Sequence, residues 1–306
     1  MGRDKGGSEL TKRERLATFA WFAIAAGYVL GFQYLAIGGY EWFNFRAATL
    51  NHGLAPKVAN PPYIFALLYP LALLPVRWGI FVYSLVAIAA IYLTHRLTQV
   101  NKWLLLLSYP TIRNLFYSQL DVLSMLGVAL GWWAIKRKRT LWLGVALVLL
   151  GIKPQITGVL GIVYLVWGWH FTALVIPLLV LLYSFLVYGF YFPDWIAHTM
   201  QQSTGANPFF RGGLGAYPWG LLAWLPLIVG YRFCSRRQIA AATIAATMLS
   251  FPYVGSYSVM AFLGLPFAWF TPVFSVPLNL LIDLRIVLIL IAAVPWLQWL
   301  WRAIRR

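Results

Sequence analysis

NLFYSQLDVLSMLGVALGWWAIKRKRTLWLGVALVLLGIKPQ, residues 114–155, is the stretch that decides the fold. It holds two apolar runs, 121–135 and 141–152, joined by four consecutive cations, Lys136, Arg137, Lys138 and Arg139. Neither run alternates polar with apolar residues as a half-buried strand would. In lipid every backbone N–H and C=O must be satisfied within the structure, so a continuous apolar run crosses as a helix. Lys and Arg accumulate in cytoplasmic loops, which puts the basic turn inside. The stretch therefore reads as a transmembrane helical hairpin whose outer ends carry Gln119, Asp121, Lys153 and Gln155.

The same alternation extends in both directions. Of 306 residues 61% are hydrophobic and 10% charged, with a mean hydropathy of +0.75, whereas a soluble domain carries about 25% charged residues. Further spans are expected at 16–35, 78–93, 103–109 with an irregular continuation, 156–169, 171–191, 219–231, 238–250, 258–274 and 286–301. The proline-flanked segment 61–74 is short for a span that needs about 20 residues, and reads as re-entrant or as a surface helix. The fold class is all-α, a polytopic transmembrane bundle of 10–12 helices, with parity open at 61–74 and 268–284. Residues 1–15 form a basic cytoplasmic tail and 16–306 a single transmembrane domain, with outer loops near 36–60 and 192–218. Within the first loop GYEWFNFRAATLNHG reads as a short interfacial helix.

The formal net charge of +17 is topological. Most of the 24 basic residues fall in clusters at 3–15, Arg96 with Lys102, 136–139, Arg232 with Arg236 and Arg237, and Arg302 with Arg305 and Arg306. Assigned to the cytoplasm, these clusters account for the charge without a nucleic-acid partner, and they set a multi-pass cell-membrane protein with its N-terminus inside. The first apolar run is longer than a signal-peptide core and reads as a retained helix. Arg46, Lys57, Arg113, Lys153 and Arg211 fall on the opposite face, in irregular aromatic-rich segments where function concentrates. The lone Cys234 excludes an internal disulfide.

Chemistry is bounded by scarcity. Of seven acidic residues three lie in the tail, leaving Glu41, Asp121, Asp194 and Asp283. His52, His95, His170 and His198 are scattered, with no metal-ligand spacing. Neither a phosphate-cradling G-x-x-x-x-G-K-[ST] nor a dinucleotide G-x-G-x-x-G occurs. No metal and no cofactor is expected. Glu41 opens the loop helix, followed by Trp42, Asn44, Phe45 and Arg46. It reads either as a carboxylate favoured by the helix dipole or as a functional group, and Asp121 carries the same two readings. A charge near the bilayer centre costs about 2.5–3.5 kcal/mol, so Lys153 must face a polar cavity, an anion or the interface.

These residues sit in strings that resemble a known family. YEWFNFRAATLNHGLAPKVANPPYIFALLYPLALLP, residues 40–75, resembles the first outer loop and next helix of glycosyltransferase family 87, polyprenol-phosphate-mannose-dependent enzymes of the GT-C superfold. The shared pattern is an acidic residue, aromatics, a small pair, a Gly and a Pro-Pro element: Glu41, Trp42, Phe45, Ala47 with Ala48, Gly53, and Pro61 with Pro62. Residues 114–155 look like the family's G-Q element, hairpin and K-P-Q motif, and SFPYVGSYSVM, residues 250–260, resembles its late S-P-Y element. The resemblance runs in order over roughly residues 20–300. Three positions depart from it: Glu41 stands for Asp, Ser118 for Gly and Ser258 for Asp.

The resemblance implies a membrane glycosyltransferase that moves a sugar, mannose by analogy, from a polyprenyl-phosphate donor to the hydroxyl of a lipid or glycan acceptor. Transfer is expected on the non-cytoplasmic face, inverting and metal-independent. Glu41 would be the catalytic base, and Lys153, then Arg211 and Arg113, would bind the donor phosphate. Arg46, His52, Gln119, Asp121, Gln155, Tyr253 and Tyr257 would line the cavity. The competing readings are a non-catalytic scaffold subunit with a partner in a membrane complex, and a flippase for a lipid-linked anion.

Overall fold

The computed structural model describes residues 12–34, 39–51, 58, 60–204, 214–251, 254–266 and 284–304. Among them no strand occurs, and helices follow one another with short breaks. The protein is an all-α, polytopic membrane bundle of the GT-C-like type. Its α-helices are α1 (Lys12–Tyr34), α2 (Tyr40–Leu50), α3 (Pro62–Ala72), α4 (Val76–Thr98), α5 (Lys102–Leu107), α6 (Tyr109–Tyr117) and α7 (Asp121–Arg137). They continue with α8 (Thr140–Leu150), α9 (Val159–Trp167), α10 (Val175–Tyr188), α11 (Phe192–Thr204), α12 (Leu225–Gly230), α13 (Arg236–Ser250) and α14 (Leu284–Ile304).

Three helical stretches among the described residues are long and apolar enough to cross a membrane: α4, the run Phe171–Tyr188 containing α10, and α14. The 23 residues of α4 rise about 34 Å at 1.5 Å each, slightly more than the roughly 30 Å hydrocarbon layer. The outer face of α10 presents Leu178, Leu179, Leu182 and Leu186 unburied, and Ser184 is its only buried residue. Such a face suits lipid. By contrast α13 is buried from Ala240 to Leu249, and its alanines admit close neighbours, as small residues do where helices pack in membranes. It touches α9, α12, α14 and the 3₁₀ segments Trp219–Trp224 and Ser256–Gly264.

Breaks in the helices follow local chemistry. Pro110 has no N–H to continue α5, so the chain opens at Ser108 (φ −67°, ψ 143°) and restarts as α6 with proline in its first turn. This is the irregularity expected after 103–109. Asn101 caps α5 by accepting from the Trp103 N–H at 2.9 Å. The segment expected as an outer loop from 192 onward opens instead with α11, thirteen residues long. The proline-flanked segment forms α3; its eleven residues give about 16 Å, too short to span.

Two apolar clusters result. The larger joins α1, α4, α7, α9, α13 and α14. The smaller gathers Trp42, Phe45, Phe65, Tyr83, Leu120 and Ile152. Three of its members are sequence neighbours of Glu41, Asp121 and Lys153, so burying the apolar residues draws the charged ones together.

Candidate functional site

The site forms where the first turn of α2, the α6–α7 junction and the α8–α9 junction meet. Gly39, in the left-handed region at φ 80°, precedes α2, and its N–H donates to the Phe116 carbonyl at 2.7 Å. That bond ties the start of α2 to the end of α6. Trp42 packs so closely on α4 that a Cβ at Gly79 would lie 2.7 Å from its ring. Trp42 also stacks on Tyr83, with centroids 5.6 Å apart. The Tyr83 hydroxyl donates to the Gln119 carbonyl at 2.5 Å. Thus α2, α4 and the α6–α7 junction are locked together behind the site.

At that junction Ser118 ends α6 with φ 58°, a left-handed conformation in a residue with a Cβ. A glycine there would be unstrained, which is the physical sense of the Gly-Gln pattern from which this chain departs. The Ser118 hydroxyl is buried and has no hydrogen-bond partner among the described residues.

Lys153 closes the cluster. The residue before a proline is pushed out of the helical region, and Lys153, ahead of Pro154, adopts φ −128°, ψ 79° between α8 and the π-turn Pro154–Gly158. Its ammonium donates to Asp121 Oδ2 at 2.5 Å and to Gln119 Oε1 at 3.2 Å. Both partners of the ion pair are buried, Lys153 at 6% and Asp121 at 1% exposure. Asp121 Oδ1 and Trp42 Nε1 are buried without a hydrogen-bond partner among the described residues. Asn60 and Tyr63 fasten the neighbouring chain by donating to the Ile152 and Val148 carbonyls, at 3.0 and 2.8 Å, acceptors left over at the end of α8.

Glu41 lies alongside, half-buried on a helix too short to span. Asn44 Nδ2 donates to its Oε2 at 3.3 Å. Burial raises the Glu41 carboxyl above the ordinary value of 4.5. The Asn44 hydrogen bond and the Lys153 charge oppose that shift, the Asp121 charge adds to it, and a Gln119 hydrogen bond opposes it weakly. Glu41, Gln119, Asp121 and Lys153 therefore form one electrostatic group.

The other residues singled out from the sequence are placed differently. Arg46 donates through Nε to the Ala72 carbonyl at 2.9 Å, anchoring α2 to the end of α3. Arg113 lies along α6, donating to the Tyr109 hydroxyl at 2.9 Å and lying 5.6 Å from the ring centroids of Tyr109 and Tyr117. Gln155 is half-buried in the π-turn beyond Lys153. The backbone of Tyr257 belongs to Ser256–Gly264, but its side chain, like His52, Arg211 and Tyr253 entirely, lies outside the described residues. Among the described residues no three His, Cys, Asp or Glu side chains gather where they could hold a metal ion. Sequence reasoning missed Tyr83, Asn60 and Tyr63. A lone tyrosine in an apolar span carries no motif, and only the position of Asn60 beside Pro61 and Pro62 hinted at it.

A buried Lys–Asp pair with a carboxylate beside it is a charged site inside an apolar helical bundle, and in membrane proteins such groups mark functional pathways. The model of glycosyltransferase family 87 matches residues 59–251, more than half of the chain, and the chain belongs to that family. The match takes in Gln119, Asp121 and Lys153 and begins beyond Glu41. No curated protein and no solved structure matches the chain.

Proposed function

We propose that the protein transfers a sugar, mannose by analogy with the family, from a polyprenyl-phosphate donor to an acceptor hydroxyl on the non-cytoplasmic face, with inversion and with Glu41 as general base. The observation that carries this reading is the half-buried Glu41 carboxylate beside the Lys153–Asp121 pair. A base works best when its pKa approaches the working pH, and burial moves Glu41 in that direction.

In this mechanism the acceptor oxygen attacks the anomeric carbon from the face opposite the phosphate. The new C–O bond forms as the bond to the phosphate oxygen breaks. The acceptor proton passes to Glu41, and the bonding electron pair leaves with the lipid phosphate. Lys153, held by Asp121 and Gln119, places positive charge where that phosphate departs, the kind of fixed electrostatic support that stabilises a charge-separated transition state. Arg113 and Arg211 are the next cations for this role, and no metal takes part.

The test uses purified protein in lipid with a panel of polyprenyl-phosphate sugars and acceptor alcohols. The expected result is acceptor-dependent release of polyprenyl phosphate, with the opposite anomeric configuration in the product. Binding of donor without release under every pairing favours the scaffold or flippase reading, and a retained configuration overturns the single-displacement mechanism.

A further inference from the structure

At the far end of the α7–α8 hairpin, away from Glu41, a cavity of about 600 Å³ opens between three elements. The seventeen residues of α7 separate it from Asp121 by about 25 Å. Lys138 and Arg139 of the hairpin turn, Trp167 at the end of α9 with Trp169 and His170 beyond it, and Arg236 at the start of α13 line it. Among the described residues no carboxylate lines it. Three exposed cations, two from the hairpin turn and one from α13, thus share the cavity with no acid among its described lining residues, and an entering anion relieves their mutual repulsion.

Further features point to what that anion is. The Arg236 guanidinium lies 5.6 Å from the Trp167 ring centroid, which holds it at the cavity. The first turn of α8 borders the cavity with no side-chain cap, and uncapped helix N-termini attract phosphate. Directly beside these polar groups Leu141, Trp142 and Phe171 are exposed, an apolar surface that a free inorganic anion would not use. We propose that this cavity binds the phosphodiester head group of an anionic membrane lipid, with its acyl chains along Leu141, Trp142 and Phe171. Basic pockets between membrane helices on the cytoplasmic side suit such head groups, and the site is independent of the sugar-transfer reading.

The experiment places the full-length protein in phosphatidylcholine nanodiscs containing phosphatidylglycerol and counts retained lipids by native mass spectrometry. Wild type should retain phosphatidylglycerol in preference to phosphatidylcholine. The triple variant Lys138→Gln, Arg139→Gln, Arg236→Gln should lose that preference, by about fivefold per charge removed. The control Arg232→Gln, Arg237→Gln, Arg302→Gln removes equal charge outside the cavity and should keep it. Equal losses in both variants would show general surface attraction and overturn the site. So would wild type with no lipid preference, a result that does not depend on the variants folding, and so would full displacement by millimolar inorganic phosphate.

Discussion

Lys153 and Asp121 are each tolerable inside the protein only because the other is there. Removing one partner of a buried pair leaves an uncompensated charge, at a cost of about 3–5 kcal/mol. Lys153→Met and Asp121→Asn should therefore each lower thermal stability sharply in detergent, while the double change Lys153→Met, Asp121→Leu should regain part of the loss. If the single changes are silent, the pair is not the site's structural tie. Ser118 tests the opposite sign. Ser118→Gly relieves a left-handed residue, worth roughly 1–2 kcal/mol, and removes an unpartnered buried hydroxyl, against about 0.5–1 kcal/mol for the added backbone freedom of glycine. A net gain is expected, read as a higher melting temperature. For Glu41, whose pKa is raised by burial, the folded state holds its proton more tightly than the unfolded chain. Its stability contribution is then fully present below the unfolded value and is lost as pH rises through the folded one. Glu41→Gln should flatten that part of the stability profile. Transfer should run the other way, failing as pH falls below the raised pKa because a protonated base accepts nothing. At this scale Asp121 and Lys153 were legible, since a charge in an apolar chain has few places to go, and Gln119 was legible from its place two residues before Asp121. Tyr83 was not, because its bond is to a backbone carbonyl that no sequence pattern announces.

Among the elements α2 matters most, because it carries Glu41 while being too short to hold itself in place. Its position depends on the Gly39 bond to Phe116, on Arg46 at the end of α3 and on the close packing of Trp42 over Gly79. Overpacking typically costs about 1–3 kcal/mol, so Gly79→Ala should destabilise by that amount. It should also reduce transfer by displacing Glu41. Trp42→Phe in the same chain should restore part of both, measured as melting temperature and turnover; no rescue would mean that α2 is positioned by something other than this contact. That α2 is a short helix was readable from its aromatic-charged composition and its place between two apolar runs. Its docking on α4 was not, because Gly79 looks like any other glycine in a membrane helix until the ring above it is seen.

On the scale of the whole molecule, the hairpin 114–155 was enough to read a helical membrane bundle. The distribution of cations gave an orientation that cysteine labelling can check: residues introduced at Lys138 and Arg236 should react from one side and one at Glu41 from the other. Reaction of all three from the same side would remove the proposed topology. The lengths of individual elements were less legible, as 3₁₀ and π segments such as Ser256–Gly264 and Pro154–Gly158 interrupt runs that are apolar throughout. Base-catalysed transfer depends most on Glu41, and the decisive measurement is the turnover of Glu41→Gln beside wild type, with donor binding followed in the same preparations. The amide keeps the size of the side chain but cannot take a proton. General-base help is worth about 10²- to 10⁴-fold, so turnover should fall by two orders of magnitude or more while donor binding persists and Glu41→Asp keeps substantial activity. Wild-type turnover in Glu41→Gln would contradict the assignment.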